Sequence, residues 1–92
     1  MTIVQTLTFS KTVKRLHKNQ KKDLDNAVKI IVNDPDIGDA KVGDLASISV
    51  YKFKMAKQLT LLAYTYEDQT ITLTLLALGT HENFYRDLKK LS

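Results

Sequence analysis

Hydrophobic and polar residues alternate at the start of the chain, which is the pattern of a β-strand. Over residues 3–9, three apolar side chains fall on one face and two threonines fall on the other. Ser10 follows, where its hydroxyl could cap the first turn of a helix. We therefore predict a strand over residues 3–9 and a short helix from Lys11 to Asn19, with Val13 and Leu16 on its inner side.

A second helix is predicted by apolar residues spaced three and four apart, the spacing of a buried helical stripe. It begins at about Gln20 or Lys21 and runs to Val32. The members of the stripe are Leu24, Ala27, Val28 and Ile31. Pro35 ends the helix, because a residue that precedes proline is disfavoured in the α region. Residues 33–47 hold the only proline, two of the three glycines and four aspartates, and we interpret them as a loop that leads into a sheet.

Three further strands are predicted over residues 48–55, 59–66 and 70–78. The connections at 56–58 and 67–69 are short enough for hairpins, which indicates an antiparallel meander. Gly79 and Thr80 close the last strand. A short C-terminal helix is expected after them. Its inward stripe consists of Phe84, Leu88 and Leu91.

The predicted fold class is α+β, with the element order β-α-α-β-β-β-α in one domain over residues 1–92. The two N-terminal helices are expected to pack on one face of an antiparallel sheet that includes the first strand, leaving the other face partly open. Composition agrees with a globular domain, since 43% of the residues are hydrophobic and 26% are charged. With no cysteine, no apolar run of membrane-spanning length and no signal-peptide layout, we expect a soluble cytoplasmic protein.

The net charge of +4 is unevenly distributed along the chain. Residues 1–33 carry a net +5, residues 34–50 carry −3 and residues 51–92 carry +2. A basic surface favours polyanionic partners such as nucleic acid, the ribosome or an acidic protein. A solvated, lysine-rich helix surface that only keeps the domain soluble is an equally good interpretation. The cluster in question comprises Lys11, Lys14, Arg15, Lys18, Lys21 and Lys22.

The strand at 48–55 carries the first candidate chemistry. Its apolar positions Tyr51, Phe53 and Met55 alternate with Lys52 and Lys54. Successive side chains point to opposite faces, so the apolar residues should face the helices and both lysines should emerge together on the open face. Two ammonium groups side by side favour an anion such as a phosphodiester between them. The alternative is a solvent-exposed strand that uses lysine to prevent edge aggregation.

His81 and Tyr85 form the second candidate pair, one helical turn apart immediately after the last strand. Histidine exchanges protons near neutral pH, and tyrosine can orient a proton or stack on a base. Two lysines, a histidine and a tyrosine match the needs of RNA strand scission: a base, an acid and cations that stabilise the phosphorane. A purely structural pair remains the alternative. No glycine-rich phosphate loop, metal-ligand spacing or catalytic triad is visible, so we expect no metal and no cofactor.

These residues give the chain a resemblance to the RelE/ParE superfamily of bacterial type II toxin–antitoxin toxins, over nearly its whole length. The opening strand followed by Ser10, Lys11 and a basic helix is similar to that family's. Residues 50–54 resemble the RelE strand whose two lysines lie in the catalytic site. The ending at 78–85 resembles the family's last strand, glycine turn and short helix, which carries a basic residue or histidine and then a tyrosine.

The resemblance implies a cognate antitoxin partner and, on the RelE branch, cleavage of mRNA in the ribosomal A site. Carried over, Lys52 and Lys54 would contact the scissile phosphate and His81 would act as acid. Tyr85 would orient or activate the 2′-hydroxyl, and Arg86 could bind phosphate. The lysine-rich helix, with Lys14, Arg15 and Lys18, would add RNA contacts.

One departure from the RelE pattern keeps a second function open. RelE-type nucleases usually place an arginine on the strand equivalent to residues 59–66, which here contains no cation. Lys57, in the preceding turn, could substitute for it. The same fold in ParE-like toxins inhibits DNA gyrase without hydrolysis. A plain nucleic-acid-binding module that uses the basic helix is a third hypothesis.

Overall fold

The computed structural model describes residues 1–45, 47–80, 84–85 and 88. In the described ranges, no helix combines the length and apolar character needed to cross a membrane. Of the predicted C-terminal helix, Phe84, Tyr85 and Leu88 are described and helical, whereas Leu91 lies outside the described residues. In chain order, the elements are β1 (Thr2–Gln5), α1 (Leu7–Lys14), α2 (Lys18–Asn33), β2 (Asp39–Ala40), a 3₁₀ turn (Gly43–Leu45), β3 (Ser49–Met55), β4 (Gln58–Glu67) and β5 (Thr72–Gly79).

The strands form a single five-stranded sheet in the order β1-β5-β4-β3-β2. The α+β class is confirmed, and β3, β4 and β5 form the predicted antiparallel meander. The first strand joins the same sheet as expected, but it runs parallel to β5. A short strand that the sequence pattern does not predict, β2, lies within the irregular stretch and pairs antiparallel with β3.

The first strand is shorter than predicted, because Thr6 rather than Ser10 caps the first helix. Thr6 has an extended backbone, and its hydroxyl accepts a hydrogen bond from the Phe9 amide at 3.1 Å. Phe9 therefore becomes a buried residue of α1, and Ser10 lies within the helix. The hydrophobic alternation over residues 3–9 fits one long strand as well as it fits a short strand followed by a helix. The helix forms because the Thr6 cap satisfies an amide of the first turn that would otherwise lack a partner.

The boundary between the helices also differs from the prediction. The first helix ends at Lys14, and α2 begins at Lys18. His17 precedes α2, and its amide donates to the Gln20 side chain at 2.8 Å, which fixes the start of the helix earlier than predicted. The predicted buried stripe of α2 is confirmed, since Leu24, Ala27 and Ile31 are buried and Val28 packs against the same core.

The sheet has a hydrophobic core on each face. On one side, which we call the helix face, the sheet packs against α1 and α2. Its buried residues are Phe9, Leu24, Ile31, Met55, Leu62, Tyr64, Leu73, Leu75 and Leu78. On the other side a second core joins the sheet to the 3₁₀ turn and the C-terminal segment. Its members are Leu45, Ile48, Val50, Leu61, Ala63, Ala77, Phe84 and Leu88.

A two-residue turn connects β3 to β4. Ala56 and Lys57 both have positive φ, at 51° and 69°, which is the conformation of a tight hairpin turn and usually favours glycine or asparagine. A carboxylate from α2 supports the turn, because Asp23 accepts a hydrogen bond from the Ala56 amide at 2.7 Å. The hairpin is therefore tied directly to the helix layer.

The loop after α2 is fastened by a buried tyrosine of β4. The Tyr64 side chain is fully buried, its hydroxyl donates to the Pro35 carbonyl at 2.7 Å, and it accepts from the Gly38 amide at 2.9 Å. A Cβ at position 38 would lie only 2.6 Å from that hydroxyl oxygen, so the contact requires glycine. Burial raises the pKa of the Tyr64 hydroxyl above its ordinary value of 10.0, and the negative charges of Asp36 and Asp34 add to the rise.

An additional residue interrupts the pairing of β4 with β5. Ala63 pairs with Ala77 but Tyr64 pairs with Leu75, which leaves Leu76 as a bulge. The Thr6 hydroxyl donates to the Leu76 carbonyl at 2.6 Å. One threonine therefore caps α1 and also satisfies the carbonyl of the bulge.

Replacing Asp23 by alanine should destabilise the protein by about 1–2 kcal/mol, because the Ala56 amide loses a charged acceptor and the strained turn loses its support. Asp23→Asn keeps an oxygen acceptor but not the charge, so its stability should lie between those of Asp23→Ala and the wild type. The free energy of unfolding from urea denaturation measures the effect. Asn26→Ala, at an exposed position of the same helix, is the control and should change little. Equal stability of Asp23→Ala and wild type would contradict this role.

Stability should fall as the pH rises above about 10, because the unfolded chain ionises Tyr64 at its ordinary pKa while the folded chain keeps it neutral. This one group contributes a slope of up to about 1.4 kcal/mol per pH unit until the raised pKa is reached. Lysines also titrate in this range, so the quantity to measure is the difference between wild type and Tyr64→Phe in urea unfolding at pH 9, 10 and 11. Parallel curves for the two proteins would contradict the assignment.

Candidate functional site

The two lysines of β3 lie where the alternation predicted them. Tyr51 and Phe53 pack against the core of the helix face, with their rings stacked at a centroid distance of 5.9 Å. Lys52 and Lys54 are exposed and point to the opposite side, which we call the lysine face. Both ammonium groups therefore leave the sheet on one face from one strand.

The lysine face is only partly open, because the second core covers the part nearest β2. Val50 lies two residues before Lys52 on the same face and is almost fully buried. Towards the β3–β4 turn the cover ends. There Leu59, which pairs with Lys54, remains 50% exposed. The accessible part of this face is thus a short patch that carries both lysines.

Tyr85 lies on the same face of the sheet as the second core. It is half-buried and packs against the second core, which places it on the lysine face. Its ring meets the ring of Phe84 edge to face, with centroids 5.3 Å apart. The ammonium of Lys41 lies 5.3 Å from the centre of the Tyr85 ring, within the range of a cation–π contact.

Lys41 is a cation of this face that sequence reasoning missed. Asp39 pairs with Val50, so Asp39 and the residue two positions later share the face of Val50. The backbone continues that pairing, since the Lys41 amide donates to the Ile48 carbonyl at 2.9 Å. What places Lys41 on this face is the register of β2, a strand only two residues long that no hydrophobic periodicity of the sequence reveals.

The remaining predicted site residues are dispersed. Lys57 is exposed in the turn at the end of β3, beyond Lys54. Lys14, Arg15 and Lys18 are exposed where α1 ends and α2 begins, in the helix layer and so on the opposite side of the sheet from Lys52. His81 and Arg86 lie outside the described residues.

A cavity of about 240 Å³ opens between α1 and the end of β5. Its wall carries three threonines, and the Thr12 hydroxyl donates to the Thr8 carbonyl at 3.1 Å. The lining residues are Thr8, Thr12, Ala77, Leu78, Gly79, Thr80 and Phe84. Among the residues that the structure describes, no three His, Cys, Asp or Glu side chains are grouped so that they could hold a metal ion.

The chemical capacity of the lysine face follows from these positions. It offers two adjacent solvent-accessible ammonium groups, and a phenol with a third ammonium over its ring. Such a surface can bind a phosphodiester and stabilise negative charge that develops on it. The strand β4 contains no Lys or Arg. Among the described residues, β3 and Lys41 therefore supply cations to this face that β4 does not.

A family model described as the ParE-like toxin of type II bacterial toxin–antitoxin systems matches residues 3–89. A comparison with proteins of curated function finds no match.

Several solved structures share the fold at low sequence identity. The toxin–antitoxin complex RelBE of E. coli superposes with a TM-score of 0.70 and 17% identity, covering 88% of this chain and 96% of that chain. A mutant of the E. coli toxin RelE in the free state superposes with a TM-score of 0.72 and 16% identity, covering 97% of this chain and 90% of that chain. The YoeB/ParE toxin from Agrobacterium tumefaciens superposes with a TM-score of 0.67 and 15% identity, covering 88% of this chain and 99% of that chain.

Proposed function

The chain belongs to the ParE-like toxins of type II bacterial toxin–antitoxin systems, and we propose that it acts as a ribosome-dependent mRNA endonuclease. The observation that supports this proposal is the pair of exposed lysines on the accessible part of the lysine face, the same face of the sheet as the core against which Tyr85 packs. This arrangement suits a polyanionic backbone. We place the activity in the cytoplasm, where the ribosome is found.

In the proposed reaction the 2′-hydroxyl of the message attacks the adjacent phosphorus. A bond forms between the 2′-oxygen and phosphorus, and the bond from phosphorus to the 5′-oxygen of the next nucleotide breaks. A base takes the proton of the 2′-hydroxyl, and an acid gives a proton to the leaving 5′-oxygen. Lys52 and Lys54 neutralise the charge of the phosphorane between these two steps. Each step uses groups of the chain and of the RNA.

Tyr85 is the candidate for orienting or activating the 2′-hydroxyl. Its ring contacts the ring of Phe84 edge to face, and the ammonium of Lys41 lies over it. We propose that Lys41 supplies part of the charge that an arginine on β4 supplies in RelE-type nucleases. His81 as acid and Arg86 as a phosphate ligand remain predictions from the family resemblance.

The basic residues of the helix layer would serve a separate contact. Lys14, Arg15 and Lys18 are exposed on the side of the sheet opposite to Lys52, so one RNA linkage cannot reach both sets. We propose that they contact ribosomal RNA while the lysine face engages the message. Lys57, in the turn, extends the lysine face towards the flanking phosphates.

We also propose a cognate antitoxin as the protein partner. RelE, whose fold this chain shares, has been crystallised in complex with its antitoxin. The net charge of +4 favours an acidic or amphipathic segment that wraps the sheet and the helices.

Inhibition of DNA gyrase without hydrolysis is the second candidate function. Two observations favour it: the matching family model is ParE-like, and β4 lacks a cation. Under this hypothesis Lys52 and Lys54 have no catalytic role.

The double change Lys52→Ala and Lys54→Ala should lower mRNA cleavage by about a hundredfold or more, as expected when charge stabilisation of the transition state is removed. The measurement is primer extension on a message translated in a cell-free system. Changing His81 or Tyr85 should also lower cleavage by orders of magnitude. Lys29→Ala, at an exposed lysine of α2 outside the basic cluster, is the control and should cleave like wild type.

Uncut message at wild-type doses that stop growth would refute the nuclease proposal. If the same protein then inhibits supercoiling by gyrase, and Lys52→Ala still inhibits it, the second candidate is correct. Circular dichroism of each variant separates a loss of activity from a loss of fold.

Lys41→Met should lower the initial rate of cleavage by about two- to fivefold. A cation over an aromatic ring that is partly open to solvent contributes about 0.5–1 kcal/mol to the position of that ring. Lys41→Arg keeps both the charge and the stacking and should retain most of the rate. Equal rates for Lys41→Met and wild type would remove Lys41 from the site and leave the role of Lys52 and Lys54 unaffected.

A further inference from the structure

The last part of β5 has an open edge on the side of β1. The pairing of β1 with β5 runs from Thr72 to Leu75, whereas β5 continues to Gly79. The first strand ends there because the Thr6 amide donates to the Leu75 carbonyl and α1 begins at the next residue. In the described sheet, residues 77–79 therefore have β4 as a neighbour on one side and no strand on the other.

The cavity of about 240 Å³ lies along this open edge, between β5 and α1. Thr8 and Thr12 of α1 line one wall, and Phe84, a member of the second core, lines another. Alternate residues of an antiparallel strand direct their amides and carbonyls away from the partner strand, so β5 presents backbone groups here. The cavity thus combines hydrogen-bonding groups of the sheet edge with an aromatic side chain from the core of the lysine face.

The lining of the cavity is polar but carries no charge among the residues that the structure describes. Its three hydroxyls belong to Thr8, Thr12 and Thr80, and a hydroxyl can both donate and accept hydrogen bonds. The Thr12 hydroxyl donates to the Thr8 carbonyl, so its oxygen remains available as an acceptor. A phosphate or a carboxylate would find no cation in this lining. A planar neutral group with donors and acceptors along its edge fits it, and a nucleobase is such a group.

The cavity and the two lysines of β3 lie at the same end of the sheet. Lys52 pairs with Leu61, and Leu61 pairs with Gly79. Neighbouring strands are about 4.8 Å apart, so the Cα atoms of Lys52 and Gly79 lie about 10 Å from each other. Phe84 is adjacent to Tyr85, and their ring centres are 5.3 Å apart. Linked nucleotides can therefore place a base in the cavity and a phosphate beside the lysines.

We propose that this cavity receives one base of the message next to the cleaved linkage, and that its threonines determine which base is preferred. The role in choosing the cleavage site rests on the proposed nuclease function. Binding of the base requires no cleavage, so the two proposals can be tested separately. Hydrogen bonds supply the selectivity, because a base with mismatched donors and acceptors leaves polar groups of the cavity unpaired.

Uncharged nucleosides test the binding step without a phosphate. Adenosine, guanosine, cytidine and uridine are each added to the isotope-labelled full chain, and the amide resonances are followed by NMR spectroscopy. We expect saturable shifts at Thr8, Gly79 and Thr80, with affinities that differ at least about threefold between the best and the worst nucleoside. The amides of Lys52 and Lys54 should not shift, because these probes carry no anion.

The double change Thr8→Val and Thr12→Val removes two hydroxyls and keeps the shape of both side chains. It should weaken binding of the preferred nucleoside about three- to tenfold, as expected for lost hydrogen bonds. In cell-free translation it should change the relative use of cut sites along the message by a similar factor, measured by primer extension. Thr2→Val, at an exposed threonine of β1 outside the cavity, is the matched control and should keep the wild-type affinity and cut pattern.

Two results would overturn the proposal and leave the nuclease function intact: no shift of the cavity amides by any nucleoside, or a wild-type affinity and cut pattern in the double variant. Nucleoside binding that the double change weakens, together with an uncut message, would support the cavity as a base-binding site and refute the nuclease function instead. The failure of one proposal is therefore distinguishable from the failure of the other.

Discussion

The register of β3 against β4 is the constraint on which the candidate site depends. The two-residue turn at Ala56 and Lys57 sets it, and the hydrogen bond from the Ala56 amide to Asp23 holds that turn against α2. A shift by one residue would exchange the two faces of the strand. Lys52 and Lys54 would then enter the apolar helix face, and the aromatic residues would leave it. The position of the cations is therefore a consequence of hairpin geometry.

The sequence predicts correctly those elements whose hydrophobic pattern fits only one type of secondary structure. The stripe from Leu24 to Ile31 and the alternation around Lys52 are of this kind, and both are found as predicted. The start of α1 could not be predicted from the pattern, because residues 3–9 suit a strand and the choice depends on what the Thr6 hydroxyl contacts. That contact includes the carbonyl of Leu76, seventy positions away. The position of Lys41 could not be predicted for a similar reason. The face on which it lies is set by the pairing of β2 with β3 and not by the residues adjacent to it in the sequence.

The chain shares its fold with these proteins at 15–17% sequence identity. Fold alone does not decide between chemistry and inhibition, because one fold can carry different sites. In this chain the two faces of the sheet differ in what they carry. Among the described residues, the helix face has the larger core, whereas the lysine face combines a core with the accessible cations. The C-terminal segment contributes to both the packing of that face and the position of Tyr85.

The bulge at Leu76 acts as a phase shift within β5. Before it, Leu73 and Leu75 face the helices, and after it Leu78 faces the same side although three positions separate it from Leu75. The half of the strand that pairs with β1 and the half that leads towards the C-terminal segment are therefore out of step by one residue. An alignment with a bulge-free relative needs a gap at this point. Without that gap, every later position would be compared with one on the opposite face.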